Sequence, residues 1–410
     1  MLPTRSIRSA ITAVWLALLA AVALAQEPAK PADTVRAEVG KPIQAARDLI
    51  QAKKYRDALA KVREAEAVPS LTGYEKFVID LTRGSAAQGA GDNDVAISSF
   101  ESVVASGRLP PGDQLKLMVA IIDLYYQAKN YAKTITWDTR YEKEGGNDPG
   151  VHQVLIQAYY QSGEYGNAAR LLRELVEADE KAERAPSEER LQFLAGCYLK
   201  MNDNNGYFWA LEKLVAHYPK KSYWADLISR VARKSGFSSR LELDVYRLQL
   251  ATGNFTKPAE YMEMAQLALQ AGFPVEAKKV VDQGYAAGVL GKGTDVERQN
   301  RLRDLANKQA AQDTAAIAQG ESENAKDGDA LIAIGYNLVL NGKADRGLPL
   351  MEQALKQGPL KHPEDAKLHL ALAYAQAGQK GRALQLLQTV RGNEGTGDLA
   401  RLWLLELGRG

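Results

Sequence analysis

Apolar residues recur along this chain at three- and four-residue spacing, and the strict alternation expected of strands is missing between the turn signals. The pattern predicts helices throughout. It also repeats on a longer scale. The segment Asp123-Leu-Tyr-Tyr-Gln-Ala-Lys-Asn-Tyr131 and the segment Gln157-Ala-Tyr-Tyr-Gln-Ser-Gly-Glu-Tyr165 lie about 34 residues apart. Each reads as the end of one helix, a tight turn and the start of the next.

Units of the same design run along most of the chain. Each has a small residue where its two helices cross and a tyrosine near the end of the first helix. A Gly or Asn follows at a turn that needs positive φ, then a second small residue and larger apolar residues four and seven positions on. The first unit has Leu49, Tyr55, Ala58, Val62, Ala65 and Pro69, and the second Gly84, Ala87, Gly91, Ala96, Phe100 and Val103. In the third, Tyr125, Asn130 and Tyr131 keep the pattern but Thr134 replaces the alanine; the fourth has Tyr159, Gly163, Tyr165, Ala168, Leu172 and Leu175. Ala195, Tyr198, Leu211, Leu214 and Pro219 make a fifth, a degenerate sixth runs from Ala232 to Leu248, and Ala265, Ala268, Gly272, Ala277 and Val281 make a seventh. Two more follow, from Gly335 to Ala354 and from Ala371 to Val390, with Leu399 to Leu407 as a closing helix. A unit of this kind buries its apolar face only against its neighbours.

The pattern stops between Gly288 and Gly328. Val289 to Thr294 is glycine-rich, Val296 to Ala318 reads as one long polar helix with Leu302, Leu305 and Ile317, and Gly320 to Gly328 is polar and turn-rich. The stretch 291–325 is either a junction between a superhelix at 36–290 and a C-terminal pair of repeats at 326–410, or an eroded repeat that keeps the array continuous.

At the N-terminus, Arg5 and Arg8 precede an apolar run from Ile11 to Leu24 that ends in Ala23-Leu24-Ala25. A basic start, an apolar middle and small residues at −3 and −1 predict a signal peptide, residues 1–25, cleaved after Ala25. The other reading, an uncleaved anchor, meets the difficulty that the run is shorter than the ~20 residues a spanning helix needs. Residues 26–35, with Pro28 and Pro31, read as a flexible lead-in. No later stretch resembles a membrane span, so the mature chain is expected in the periplasm if the source is a Gram-negative bacterium.

Charge and chemistry narrow the function. With 52 basic and 50 acidic residues, nothing electrostatic points to nucleic acid. His152, His217, His362 and His369 show no metal-ligand spacing, and Cys197 sits in a helical core pattern that reads as structural. Gly291-Lys292-Gly293-Thr294 departs from a phosphate loop, because Ala286 stands at the first glycine position and Gly293 separates the lysine from the threonine. No catalytic, cofactor or metal residues are assigned, and no enzyme activity is expected.

In its repeated units the chain resembles the tetratricopeptide-repeat (TPR) family. The resemblance implies an all-α, right-handed α-solenoid whose concave surface, lined by the first helix of each repeat, binds peptides or partner helices. In that register Tyr125 and Tyr159 belong in the core, whereas Tyr126 and Tyr160 face the groove with Asp123, Gln127, Gln153, Gln157, Gln161, Gln192 and Lys200. Glutamine can pair with a peptide backbone and exposed tyrosine offers contact area at low entropy cost. These nine residues are either a protein-binding groove or plain solvated surface. The run Leu214-Val-Ala-His-Tyr-Pro-Lys-Lys-Ser-Tyr-Trp224, with Ala265-Gln266-Leu267 and Gly272-Phe273-Pro274-Val275-Glu276-Ala277, is similar to periplasmic TPR proteins associated with TonB–ExbB–ExbD systems. That likeness covers roughly 115–289 and implies docking on periplasmic segments of TonB or ExbD. A scaffold for another envelope assembly, such as polysaccharide export or peptidoglycan-enzyme regulation, is the alternative.

Overall fold

The computed structural model describes residues 33–319, 327–357 and 359–409. The predicted signal peptide and most of the lead-in lie outside the described residues. Twenty α-helices and no strand occur among the described residues. The chain forms two compact units that divide between Asp203 and Asn204. That boundary falls inside the fifth repeat of the sequence pattern and not at the glycine-rich stretch after 290.

Unit 1 contains α1 (Ala37–Gln51), α2 (Tyr55–Glu66), α3 (Gly73–Ala90), α4 (Asn93–Ala105), α5 (Pro111–Gln127), α6 (Tyr131–Lys143), α7 (Pro149–Gln161), α8 (Tyr165–Lys181) and α9 (Glu188–Lys200). Each helix packs on the next in sequence, and first helices of adjacent repeats also meet, α1 on α3 and α5 on α7. Local sequence sets the ends. Thr72 and Glu75 form a reciprocal capping box at α3, Asn130 caps α6 by accepting from the Lys133 amide, and Pro111 and Pro149 open α5 and α7 where their missing N–H is no loss. Glu75 is fully buried, and the Arg36 guanidinium, 2.8 Å away, holds its carboxyl well below the usual range.

The small residues stand where the repeat pattern requires them. Ala58, Ala96 and Ala168 have no accessible surface. A Cβ on Gly84 would fall 2.3 Å from the Phe100 ring. Thr134, in the alanine position of the third repeat, is also fully buried and directs its hydroxyl to the Asn130 carbonyl at 3.0 Å, so the extra oxygen is satisfied within its own helix. The turn chemistry differs from the expectation in one respect. In the fourth repeat Gly163 carries the positive φ, but in the third it is Lys129, with φ 58°, and Asn130 acts as the cap instead.

Asp138 on α6 is the anomaly of this unit. It has no accessible surface, and neither carboxylate oxygen has a hydrogen-bond partner among the described residues. Burial, followed by the charge of Glu142, pushes its carboxyl up to about 7. An acid raised in the folded state is favourable only while protonated, so its effect on stability worsens as pH climbs from the ordinary carboxyl range to about 7 and then levels off.

Unit 2 contains α10 (Asn204–His217), α11 (Lys221–Ala232), α12 (Glu242–Ala251), α13 (Pro258–Gln270), α14 (Pro274–Ala286), α15 (Val296–Gln319), α16 (Gly328–Leu340), α17 (Ala344–Gln357), α18 (Pro363–Gln376), α19 (Lys380–Leu387) and α20 (Thr396–Gly408). The long polar helix of the sequence reading is α15. It lies against α13 and α14, and Gln299, Leu302, Ala306, Ala310 and Ile317 are its buried residues, while Leu305 is exposed. The helices on either side of 291–325 belong to one compact unit. The paired helices α16 and α17 approach so closely that a Cβ on Gly347 would lie 2.3 Å from the Gly335 carbonyl oxygen.

This unit closes on itself. The last helix, α20, packs on α10, α11 and α12 as well as on α18. Arg240 reaches Asp365 and Glu394 at 2.6 Å each, and Lys234 reaches Asp398 at 2.9 Å. At the centre of the closure, buried Arg247 holds Glu276 with two bonds of 2.8 and 2.7 Å and Asp244 with one of 2.8 Å. Its guanidinium carbon lies 4.8 Å from the Tyr336 ring centroid and 5.4 Å from that of Phe273. Nε2 of His369 on α18 lies 3.0 Å from Asp244. Burial works to raise the Asp244 carboxyl, but the charges of His369 and Arg247 outweigh it and hold it below the usual range.

Two substitutions test these interiors. Asp138→Asn should flatten the fall in stability between about pH 4 and about pH 7 and leave the chain roughly 1–3 kcal/mol more stable than wild type above pH 7; urea unfolding across a pH series checks it. Arg247→Met strands two buried carboxylates and should cost about 3–5 kcal/mol, against about 1 kcal/mol or less for Arg170→Met at its exposed pair with Glu174, by the same unfolding assay.

Candidate functional site

The candidate surface lies in unit 1, on the side of α5, α7 and α9 that carries the second tyrosine of each pair. Helical geometry places Asp123, Tyr126 and Gln127 together, because residues three and four apart share a face. The same spacing groups Gln153, Gln157, Tyr160 and Gln161 on α7. Tyr125, one step round α5, is buried, and its hydroxyl donates to Glu101 at 2.7 Å. Trp137 donates to the same carboxylate oxygen at 3.0 Å. Tyr159, expected in the core like Tyr125, is only half-buried.

Two contacts join the first helices of neighbouring repeats across this face. The Tyr126 hydroxyl donates to Oε1 of Gln157 at 2.8 Å, tying α5 to α7. The Tyr160 ring meets the Phe193 ring edge to face at 5.0 Å, tying α7 to α9. Each tyrosine is also braced by the aromatic that opens the second helix of its own repeat. Tyr126 lies 5.8 Å from Tyr131, and Tyr160 lies 5.2 Å from Tyr165. Such pairs contribute about 0.5–1.5 kcal/mol beyond their buried area, so the rings are held in place before any partner arrives. Phe193 was not among the residues singled out from the sequence. It follows Tyr160 by about one repeat length, and that spacing was the available signal.

The remaining candidates are placed as follows. Asp123, Gln153 and Gln157 are half-buried, whereas Gln127, Gln161 and Lys200 are exposed at the last positions of α5, α7 and α9. Gln192 is exposed beside Glu188, with Nε2 3.4 Å from that carboxylate. The structure brings Tyr126 to Gln157 and Tyr160 to Phe193. Burial, with the nearby charge of Asp148, pushes the Asp123 carboxyl up to about 6. Burial also raises the Tyr126 hydroxyl, so that side chain stays a neutral donor.

The other chemistry-bearing residues have structural surroundings. Cys197 is buried and its thiol is pushed up to about 12 by desolvation. His152 pairs with Glu142 at 3.2 Å, and His369 belongs to the Arg247 cluster. Among the described residues no group of three or more His, Cys, Asp or Glu is placed to hold a metal ion, and no helix is long and apolar enough to cross a membrane. In the run Leu214–Trp224, Leu214, Val215 and Trp224 are core residues of unit 2, with Arg409 5.5 Å over the Trp224 ring.

Stacked helix pairs with small crossing residues and a half-exposed row of aromatic and carboxamide side chains define a helical-repeat protein of the solenoid class. Residues 81–149 and 332–396 match the tetratricopeptide-repeat family. A comparison with curated proteins finds no match. Among solved structures, the chain is similar to one described as Naa15/Naa10 bound to HypK-THB, with 16% identity and a TM-score of 0.32, covering 86% of this chain and 58% of that one. The chain thus spans little more than half the length of that relative. It is also similar to yeast Tom70, with 14% identity, a TM-score of 0.25 and coverage of 90% and 95%. The P58(IPK) TPR domain matches at 12% identity, a TM-score of 0.24 and coverage of 90% and 98%. Likenesses at these scores add nothing to the argument.

The braced tyrosines should tolerate conservative change. Tyr126→Phe removes one hydrogen bond and should lower unfolding stability by about 0.5–1.5 kcal/mol, with the far-ultraviolet circular dichroism unchanged.

Proposed function

We propose that this chain is an exported periplasmic adaptor that binds other proteins, catalyses nothing itself, and docks a partner segment on the α5–α7–α9 face of unit 1. The observation that carries this reading is the row formed by Tyr126, Gln157, Tyr160 and Phe193. Its rings are fixed by neighbours yet partly open to solvent. Around them Gln127, Gln153 and Gln161 make no side-chain hydrogen bond with any described residue, so their amides are free to pair with a peptide backbone. Unit 2 offers a contrast. The corresponding helices α16 and α18 direct Tyr336 and His369 into the unit's own closure.

Export is supported by the basic, apolar and small-residue order of residues 5–25. The Leu214–Trp224 run supports TonB or ExbD of an energy-transducing uptake system as the partner. A pull-down from solubilised envelope of the source organism, using residues 26–410 and probing for TonB and ExbD, tests the whole reading. Wild type should recover one of them, and a Tyr126→Ala/Tyr160→Ala double variant should lose about tenfold or more. Equal recovery by both chains removes the binding face from the proposal. Recovery of export or cell-wall components in place of TonB or ExbD transfers the adaptor to another envelope assembly.

A further inference from the structure

We propose that the unit 1 face selects an extended protein segment bearing a lysine or arginine, whose cation seats on the Asp123 carboxylate with its aliphatic stem along Tyr126. The inference rests on the adaptor reading above and adds the charge of the ligand. Asp123 is half-buried on α5 and makes no hydrogen bond or ion pair with any described residue. Two other carboxylates of this region have cations of their own: Asp113 takes Lys116 at 3.0 Å, and Glu144 takes Arg140 at 2.7 Å. A carboxylate partly withdrawn from water and left without a counter-cation gains most from a charge that arrives with a ligand. Tyr126, one turn further along the helix, presents an aromatic surface that favours the cation and packs its methylenes.

The charged surroundings agree. α5 packs on α4, α6 and α7. From the N-cap of α7, Asp148 adds a second negative charge near Asp123 and raises its carboxyl further, while His152 in the first turn of α7 pairs with Glu142. From α6, Tyr131 lies against Tyr126 and is neutral. From α4, Glu101 is committed to Tyr125 and Trp137 on the other side of the helix. The neighbouring charge that acts on Asp123 is thus negative. Such a segment should bind better once Asp123 is ionised, above about pH 6.

Fluorescence anisotropy with the purified chain tests this, using a labelled short peptide rich in lysine and aromatic residues and its fully acetyl-lysine counterpart. Wild type at about pH 7.5 should prefer the lysine peptide by about tenfold, and the preference should shrink at about pH 5 and in Asp123→Asn. If Asp123→Asn keeps the full preference, or wild type shows none, the inference is overturned. The adaptor reading is scored separately. If both peptides bind wild type equally and Tyr126→Ala weakens both, the face still binds protein and only the charge selection fails.

Discussion

At three helix crossings in unit 1 a fully buried alanine, Ala58, Ala96 or Ala168, lets two helices lie close enough for the larger apolar residues on either side to interlock, and buried Thr134 takes that place in the third repeat. Interiors are packed nearly as densely as organic crystals, so a bulkier group there would separate the helices along their length. The Gly335 and Gly347 contact in unit 2 shows the limit of this approach, with backbone meeting backbone. Because each helix pair buries its apolar face on the next, the positions of Tyr126 and Tyr160 are inherited from these crossings. The same stacking that makes the core also sets a row of second tyrosines at one-repeat intervals on the opposite side.

The two units meet the same requirement differently. Unit 1 runs helix on neighbour, and most of its ion pairs lie on or near the surface. Unit 2 returns its last helix to its first three and places Arg247, Asp244 and Glu276 inside the joint. A buried ion cluster of this kind adds little net stability, since desolvation consumes most of the Coulomb gain, but it tolerates few alternative arrangements. The bidentate Arg247–Glu276 pair, with Tyr336 and Phe273 over the guanidinium, fixes how α12, α14 and α16 meet.

The candidate surface gains its character from what unit 1 leaves unsatisfied. Asp113 and Glu144 near α5 are neutralised locally, while Asp123 is not, and the amides of Gln127, Gln153 and Gln161 around it have open capacity. Preformed rings lower the entropy that a partner must give up in ordering them. A surface of this composition reads backbone and charge more than shape, which suits extended segments.

Much of this was legible in the sequence. The repeat phase gave the helix pairs, the crossing residues, buried Tyr125, the extent of α15 and the two tyrosines of the candidate face, because a regular array imposes the same side-chain sizes at the same spacing and those sizes are visible one residue at a time. Phe193 followed the same phase but stood in a repeat that lacks the double tyrosine. Lys129 took the positive φ in place of the neighbouring asparagine, since the turn tolerates either solution once the cap is supplied. Only the tertiary structure decided the division at Asp203/Asn204, the return of α20 onto α10–α12, and the meeting of Arg247 with Glu276, Tyr336 and His369. These join residues far apart in the chain, and no local period records a contact whose energy depends on where distant helices come to rest.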